Sequence, residues 1–197
     1  IHTEFSSDSE TKITDQVERA IALGLDHICF TDHMDMDYPE GEFELDTDAY
    51  VKRVLELQEE YKDRIRICLG VELGMQEHLK DRQQAYIEKY PFDFVICSQH
   101  AINRSELYFG NFFLDKTQHE AYEYYYKELY DIIKVYKNYS VLGHLDLVKR
   151  YGNYGKVLDD KPFDDIIEAI LKQAIYDGKG IEVNTSCYRY NLPDLTP

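Results

Sequence analysis

The chain contains no tryptophan, only four cysteines, few cations and no long apolar run, and these shortages exclude whole classes of protein. Lys and Arg number 22 against 38 Asp and Glu, so the formal net charge is −16 over 197 residues. A surface that acidic repels phosphate backbones and anionic membranes. Long nucleic acid is thereby disfavoured as the main partner, although a local basic pocket could still hold one small phosphate. No apolar stretch approaches the ~18 residues of a membrane span, and no basic-then-apolar signal segment opens the chain. Cys29, Cys68, Cys97 and Cys187 are widely spaced and form no C-x-x-C pair. Three of them sit in apolar runs, which predicts reduced, buried thiols in a cytoplasmic protein. No initiator Met precedes Ile1, and the sequence stops at Thr196-Pro197 in a turn-like stretch.

What is present is enough apolar residue, 44% of the chain, to build a packed core rather than a disordered segment. Short apolar runs recur at His27–Phe30, Ile65–Val71, Phe92–Cys97, Ser140–Leu142 and Gly180–Val183. They have the length and character of strands buried on both faces. Helix-period segments separate them. Ile13, Val17, Ala20 and Ile21 share a helical face, as do Val51, Val54, Leu55 and Tyr61, and as do Phe163, Ile166, Ile167, Ile170, Leu171 and Ala174. Thr117-x-x-Glu120 is a capping-box pattern opening a helix over Ala121–Tyr136, and Gly24 and Gly178 fall where helices should stop. Five rounds of strand and helix predict an α/β fold with a parallel sheet. The tyrosine-dense stretch Tyr122, Tyr124, Tyr125, Tyr126 and Tyr130 reads either as a core stripe with amphipathic rim residues or as an interaction surface.

Each strand-like run is followed by a polar signature: Thr31-Asp32-His33, Glu72, Ser98-Gln99-His100, Gly143-His144-Leu145-Asp146 and Asn184-Thr185-Ser186. Parallel strands bring their carboxyl ends to one face, where active sites of α/β folds lie. His33, Glu72, His100 and His144, with His2 at the front, would then form an imidazole–carboxylate cluster suited to Zn, Mn or Fe. A single His at a strand end is more often structural, but four in register point to a shared site. His27, His78 and His119 are assigned surface roles.

The ordered stretches IHTEFSSDSE, FTDHM, GVELG, SQH, GHLD and EVNTSCYR span almost the whole chain and resemble the PHP (polymerase and histidinol phosphatase) superfamily, in its histidinol-phosphate phosphatase branch. The resemblance implies a distorted (β/α)7 TIM-like barrel with a trinuclear metal site, and residues 1–197 are read as one metal-dependent phosphatase domain of that type. The family's H-x-H motif retains only its second His here, His2, and its last D-x-H motif is not found. The expectation is therefore a barrel lacking its N-terminal start and C-terminal units. The implied metal ligands are His2, Asp8, His33, Glu72, His100 and His144, with Glu72 bridging; a helix N-cap is the alternative for Asp8, with the ligand role favoured. The implied reaction is hydrolysis of L-histidinol phosphate, a step of histidine biosynthesis, with Glu72, His100 and Asp146 as candidate catalytic groups. Gln99 is a lesser candidate for proton transfer. Arg150 and Arg189 follow strand ends and are candidates for a phosphate clamp, or else for surface ion pairs. Asp35, Asp37 and Glu42 could supply an acidic rim for a cationic substrate. Oligomerisation is left open. The alternatives are a phosphoesterase for another small ester or a nucleic-acid end, and a non-catalytic metal-binding module.

Overall fold

The structure, a computed structural model, describes residues 1–39 and 43–190. Glu42 and the side chain of Cys187 lie outside what is described. Helix α1 (Ile13–Ala22) buries Ile13, Val17 and Ala20, the face read from the sequence. It has no local side-chain cap. Instead the Glu4 carboxylate reaches across to accept from the Ile13 amide at 2.5 Å, placing negative charge at the helix N-terminus. Strands β1 (His27–Phe30) and β2 (His33–Met34) follow, then helix α2 (Thr47–Glu60), capped by the Asp46 carboxylate on the Ala49 amide. Strand β3 (Arg66–Gly74) runs three residues beyond the apolar run that announced it, taking Glu72 inside the strand.

Helix α3 (Lys80–Lys89), strand β4 (Phe94–Ser98) and a small hairpin of β5 (Ala101–Ile102) and β6 (Ser105–Glu106) come next. Helix α4 (Gln118–Val135) opens on the predicted capping box, with Thr117 and Glu120 bonding reciprocally. Strand β7 (Val141–Leu142), helix α5 (Asp164–Tyr176), strand β8 (Gly180–Ile181) and the four-residue helix α6 (Cys187–Tyr190) complete the order.

All strands of the main sheet pair in parallel, in the spatial order β1-β3-β4-β7-β8. β2 also lies on β3, so β1 and β2 are one strand position interrupted at Thr31-Asp32. The alternation of strand and helix thus gives the parallel α/β architecture expected. One face of β3 packs Ile67, Leu69, Val71 and Leu73 into the core, with Val51, Val54 and Leu57 of α2 in the same cluster. The expectation of strands buried on both faces fails at β8, where Gly180 and Ile181 are exposed. The reason is positional: β8 ends the strand path among the described residues and has only β7 beside it.

The tyrosine stretch resolves to the core reading. Tyr122, Tyr125 and Tyr126 are buried, and Tyr124 and Tyr130 pack against the same cluster. Cys97 is buried and Cys29 and Cys68 half-buried, all three free thiols. Among the described residues no helix is long and apolar enough to cross a membrane.

The capping box gives the fold's most local test. Replacing Thr117 by Ala removes the acceptor for the Glu120 amide and should lower unfolding stability by about 1 kcal/mol. Urea denaturation at unchanged slope is the measurement; an unshifted midpoint would mean that tertiary packing alone starts α4.

Candidate metal and phosphate site

Strand register builds the cluster. His33 of β2 lies directly opposite Glu72 of β3, and Gly74 opposite Ser98 of β4. His100 follows β4 by two residues and His144 follows β7 by two, so all four groups leave the carboxyl ends of neighbouring strands. His2 arrives from the front of the chain. The Thr31 amide bonds the Ile1 carbonyl, and buried Asp32 accepts from both the Thr3 amide (2.6 Å) and the Thr3 hydroxyl (3.0 Å). These bonds lay the first residues alongside the interruption between β1 and β2. Asp32 is held above the usual carboxylate range by burial, which outweighs its bonds from Thr3.

Glu72 is the hub. Its Oε2 meets His2 Nε2 at 3.1 Å, while Oε1 meets Ser98 Oγ at 2.8 Å, His100 Nε2 at 3.1 Å and His144 Nε2 at 3.0 Å. Burial alone would raise this carboxyl. The charge of His33 and the bonds from His100, His144 and His2 instead pull it well below the usual range. His2 also bonds Asp8 through Nδ1 at 2.8 Å. Burial would lower the His2 imidazole, but Asp8 and Glu72 raise it to about 9. Asp8 lies 3.7 Å from His33 Nε2. It does not cap α1, whose N-cap is Lys12, so the structure turns the Asp8 carboxylate toward the cluster. Despite burial, contact with His2 and the charge of His33 hold it down at about 2.

Asp35 is the residue whose place the sequence reading missed. It was a candidate for an outer acidic rim, yet it is buried between two ring nitrogens: His100 Nδ1 at 2.8 Å and His33 Nδ1 at 3.4 Å. The signal was available, since two-residue spacing returns a side chain to the same side of an extended chain. Burial would raise Asp35, and His100 and His33 bring it to about 2. Burial would likewise lower His100, and Asp35 followed by Glu72 raises it to about 10. A Cβ at residue 74 would stand 1.5 Å from Asp35 Oδ1, so glycine there is what admits the carboxylate.

Among the described residues, three overlapping groups could hold a metal ion: His2, His33 and Glu72; His33, Asp35 and His100; and Glu72, His100 and His144. In the last, His100 Nε2 and His144 Nε2 are 3.3 Å apart. Two ligands ~2.0 Å from one tetrahedral ion are separated by roughly 3.3 Å. Nitrogen and carboxylate donors converging at that spacing fit a divalent cation of the Zn, Mn or Fe kind.

The cluster floors a cavity of about 760 Å³. Arg150 and Arg189 both line it and are joined through one residue: Arg150 Nη2 donates to Ser186 Oγ at 2.6 Å, and the Arg189 amide donates to the Ser186 carbonyl. Glu182, the first residue of the EVNTSCYR stretch and given no role there, accepts from the His144 amide (2.8 Å) and from Asn184 Nδ2 (3.1 Å). Asp146 and Gln99 stand apart from the cavity lining. Buried Asp146 pairs with Lys149 at 3.2 Å, and Gln99 donates to the Tyr125 carbonyl of α4. Asp37 likewise faces away, toward His78, Arg82 and Arg104. His27 is exposed at the start of β1, as expected of a residue at the far end of the sheet.

Comparison with known proteins places this arrangement. A histidinol-phosphatase from Lactococcus lactis is 38% identical over 189 residues, covering 95% of this chain and 70% of the relative. A Clostridium acetobutylicum protein named "Probable histidinol-phosphatase" is 31% identical, covering 94% of this chain and 71% of that one. The crystal structure of the Lactococcus lactis histidinol phosphate phosphatase, complexed with zinc, L-histidinol and phosphate, superposes with a TM-score of 0.90 over 96% of this chain and 73% of that chain. The PHP domain family matches residues 1–186. With the sheet, the cluster and these likenesses in agreement, the chain belongs to the PHP domain family.

Proposed function

We propose that this chain is a metal-dependent phosphomonoesterase that hydrolyses L-histidinol phosphate to L-histidinol and inorganic phosphate in histidine biosynthesis. The observation that carries the proposal is the cavity itself. It gathers an imidazole–carboxylate cluster and two arginines in one lining, in a chain 38% identical to a histidinol-phosphatase. A small, phosphate-bearing substrate fits this site better than a nucleic acid, because the overall charge of −16 opposes a long phosphate backbone.

In this reading His2 and Glu72 would hold a first divalent ion, Asp8 and His33 a second, and Glu72, His100 and His144 a third. Bound divalent ions would supply positive charge to the phosphoryl oxygens and acidify water at neutral pH. The chain's own residues do the rest. Asp35 accepts from His100 Nδ1, which fixes the tautomer that leaves Nε2 free to act as a ligand. Arg150 and Arg189 grip the phosphate oxygens with guanidinium forks, and Ser186 holds the first of them in place. Asp146 acts at one remove, anchoring Lys149 beside Arg150. Glu72 and His100, the candidate catalytic groups, enter this reading as ligands, with both Glu72 oxygens and His100 Nε2 turned into the cluster. A cytoplasmic location completes the reading, supported by the free thiols Cys29, Cys68 and Cys97.

Holoenzyme loaded with Zn, Mn or Fe should release phosphate from L-histidinol phosphate much faster than from generic phosphomonoesters; equal rates across such esters would reject the substrate. Glu72→Gln should retain the fold by circular dichroism, lose bound metal by elemental analysis and cut turnover by at least about a hundredfold. Unchanged metal content would remove Glu72 from the ligand set.

The pH behaviour follows from His2 and His100, raised to about 9 and about 10 in the ion-free protein. Both are then imidazolium at pH 7, and ligation requires the neutral ring. Metal loading at pH 7 should therefore release protons, and affinity should rise with pH up to that range. Titration calorimetry in two buffers of different ionisation enthalpy reads the release directly; identical heats would contradict it.

A further inference from the structure

The cavity has a wall that the phosphatase chemistry leaves unused. Beyond the metal cluster it is lined by Tyr108 and Phe109, in the segment that leaves β6. These residues are 62% and 64% exposed, more than the other aromatics of the lining, of which Tyr38 is buried and Phe43 and Tyr151 are half-buried. Tyr38 is buried, and Phe43 packs edge-on against both Tyr38 and His33 at 5.1 Å. Tyr108 and Phe109 instead meet each other edge-on at 4.9 Å and present their remaining surface to solvent. Tyr108 also meets Tyr151 at 5.8 Å, and Tyr151 carries the Arg150 guanidinium 5.9 Å above its ring. The wall is therefore continuous with one arm of the candidate phosphate clamp.

The segment is also built rather than loose. Glu106 is fully buried, and its two carboxylate oxygens accept from the Phe109 amide at 2.5 Å and the Asn111 amide at 3.3 Å. A buried carboxylate without such donors would be costly. Its bonds fix the backbone that carries both rings. Leu107, which is buried, lines the same cavity.

We infer that Tyr108 and Phe109 form an aromatic wall that receives the ring of the substrate's leaving group, and so determine specificity. The inference rests on the phosphatase reading above and adds the part of the site that would tell an aromatic amino-alcohol phosphate from a smaller ester. A ring seated between the clamp and this wall would cover apolar surface now in water and gain edge or face contacts with both side chains. If the ring is cationic, the π-faces add attraction. Neither ring belongs to the ion-binding groups, so the wall acts on binding more than on the chemical step.

The test compares holoenzyme on L-histidinol phosphate and on O-phosphoethanolamine, which keeps phosphate and amine but lacks the ring. Tyr108→Ala and Phe109→Ala should each lower the ratio of kcat/KM for the two esters by about 3- to 10-fold, mainly through KM for the ring-bearing one. Tyr108→Phe should keep the wild-type ratio, and bound metal should match wild type in every variant. A ratio unaltered in both Ala variants, with wild type still preferring the ring-bearing ester, would overturn the wall and leave the phosphatase reading intact. Wild-type enzyme with no preference between the two esters would overturn both. L-Histidinol affinity by calorimetry gives a readout independent of turnover and should weaken in the Ala variants alone.

Discussion

The buried carboxylate of Glu72 is the constraint around which the rest of the site is arranged. A carboxylate at the end of a central parallel strand loses most of its hydration, a cost that nearby positive charge or hydrogen bonds must offset. Here the offset comes from every neighbouring strand position: His33 beside it on β2, Ser98 and His100 at the end of β4, His144 after β7, and His2 from the front of the chain. Apart from Ser98 and His100, no two of these groups come from the same segment. The parallel sheet is therefore the device that makes the cluster, because only strands running the same way deliver residues so far apart in sequence to one end.

Supporting residues can be understood from what that hub demands. Imidazoles that serve one carboxylate must be held at defined rotations, which is the role of the outer acids. Asp35 takes the Nδ1 atoms of His33 and His100, and Asp8 takes His2. Glycine at position 74 is dictated by Asp35, since any Cβ there would occupy the place of the carboxylate. Asp32 lies outside the ring but secures Thr3, and through it the approach of His2. On charge alone, an acidic chain that gathers acids around its site is ill-suited to an anionic substrate. The acids, however, are matched by histidines whose ring nitrogens converge on a common point, and cations held there reverse the local sign.

How far this could be read from sequence depended on which physics decided each residue. Strand positions were legible because β-branched and apolar runs between helical stripes have few other uses, and β1 matches its run residue for residue. His33, Glu72, His100 and His144 were legible for the same reason: each follows such a run. The end of β3 was not, since the sequence past Val71 gives no sign that pairing with β2 and β4 continues to Gly74. Asp35 was mistaken for a rim residue because exposure depends on the close approach permitted by Gly74, a contact 39 residues away in sequence. Asp146 sits two residues from a cluster histidine, as Asp35 does from His33, yet it turns to Lys149. The short helical turn at Leu147–Arg150 breaks the two-residue alternation that would have returned it to the cavity.

That contrast separates two kinds of position in the molecule. Groups fixed by strand register have little freedom: a one-residue slip would turn them to the other face of the sheet. Arg150, Arg189, Tyr108 and Phe109 come from connecting segments, and each is fixed by a local device instead. Lys149 ties its segment to Asp146 and to Asp160, Ser186 joins the two arginines, and Glu106 holds the amides of Phe109 and Asn111. Connecting segments accept changes in length and sequence at little thermodynamic expense. The ion-binding floor and the substrate-facing wall can therefore vary independently: a new leaving group requires a changed loop and anchor, while the register that assembles Glu72 and its histidines stays as it is.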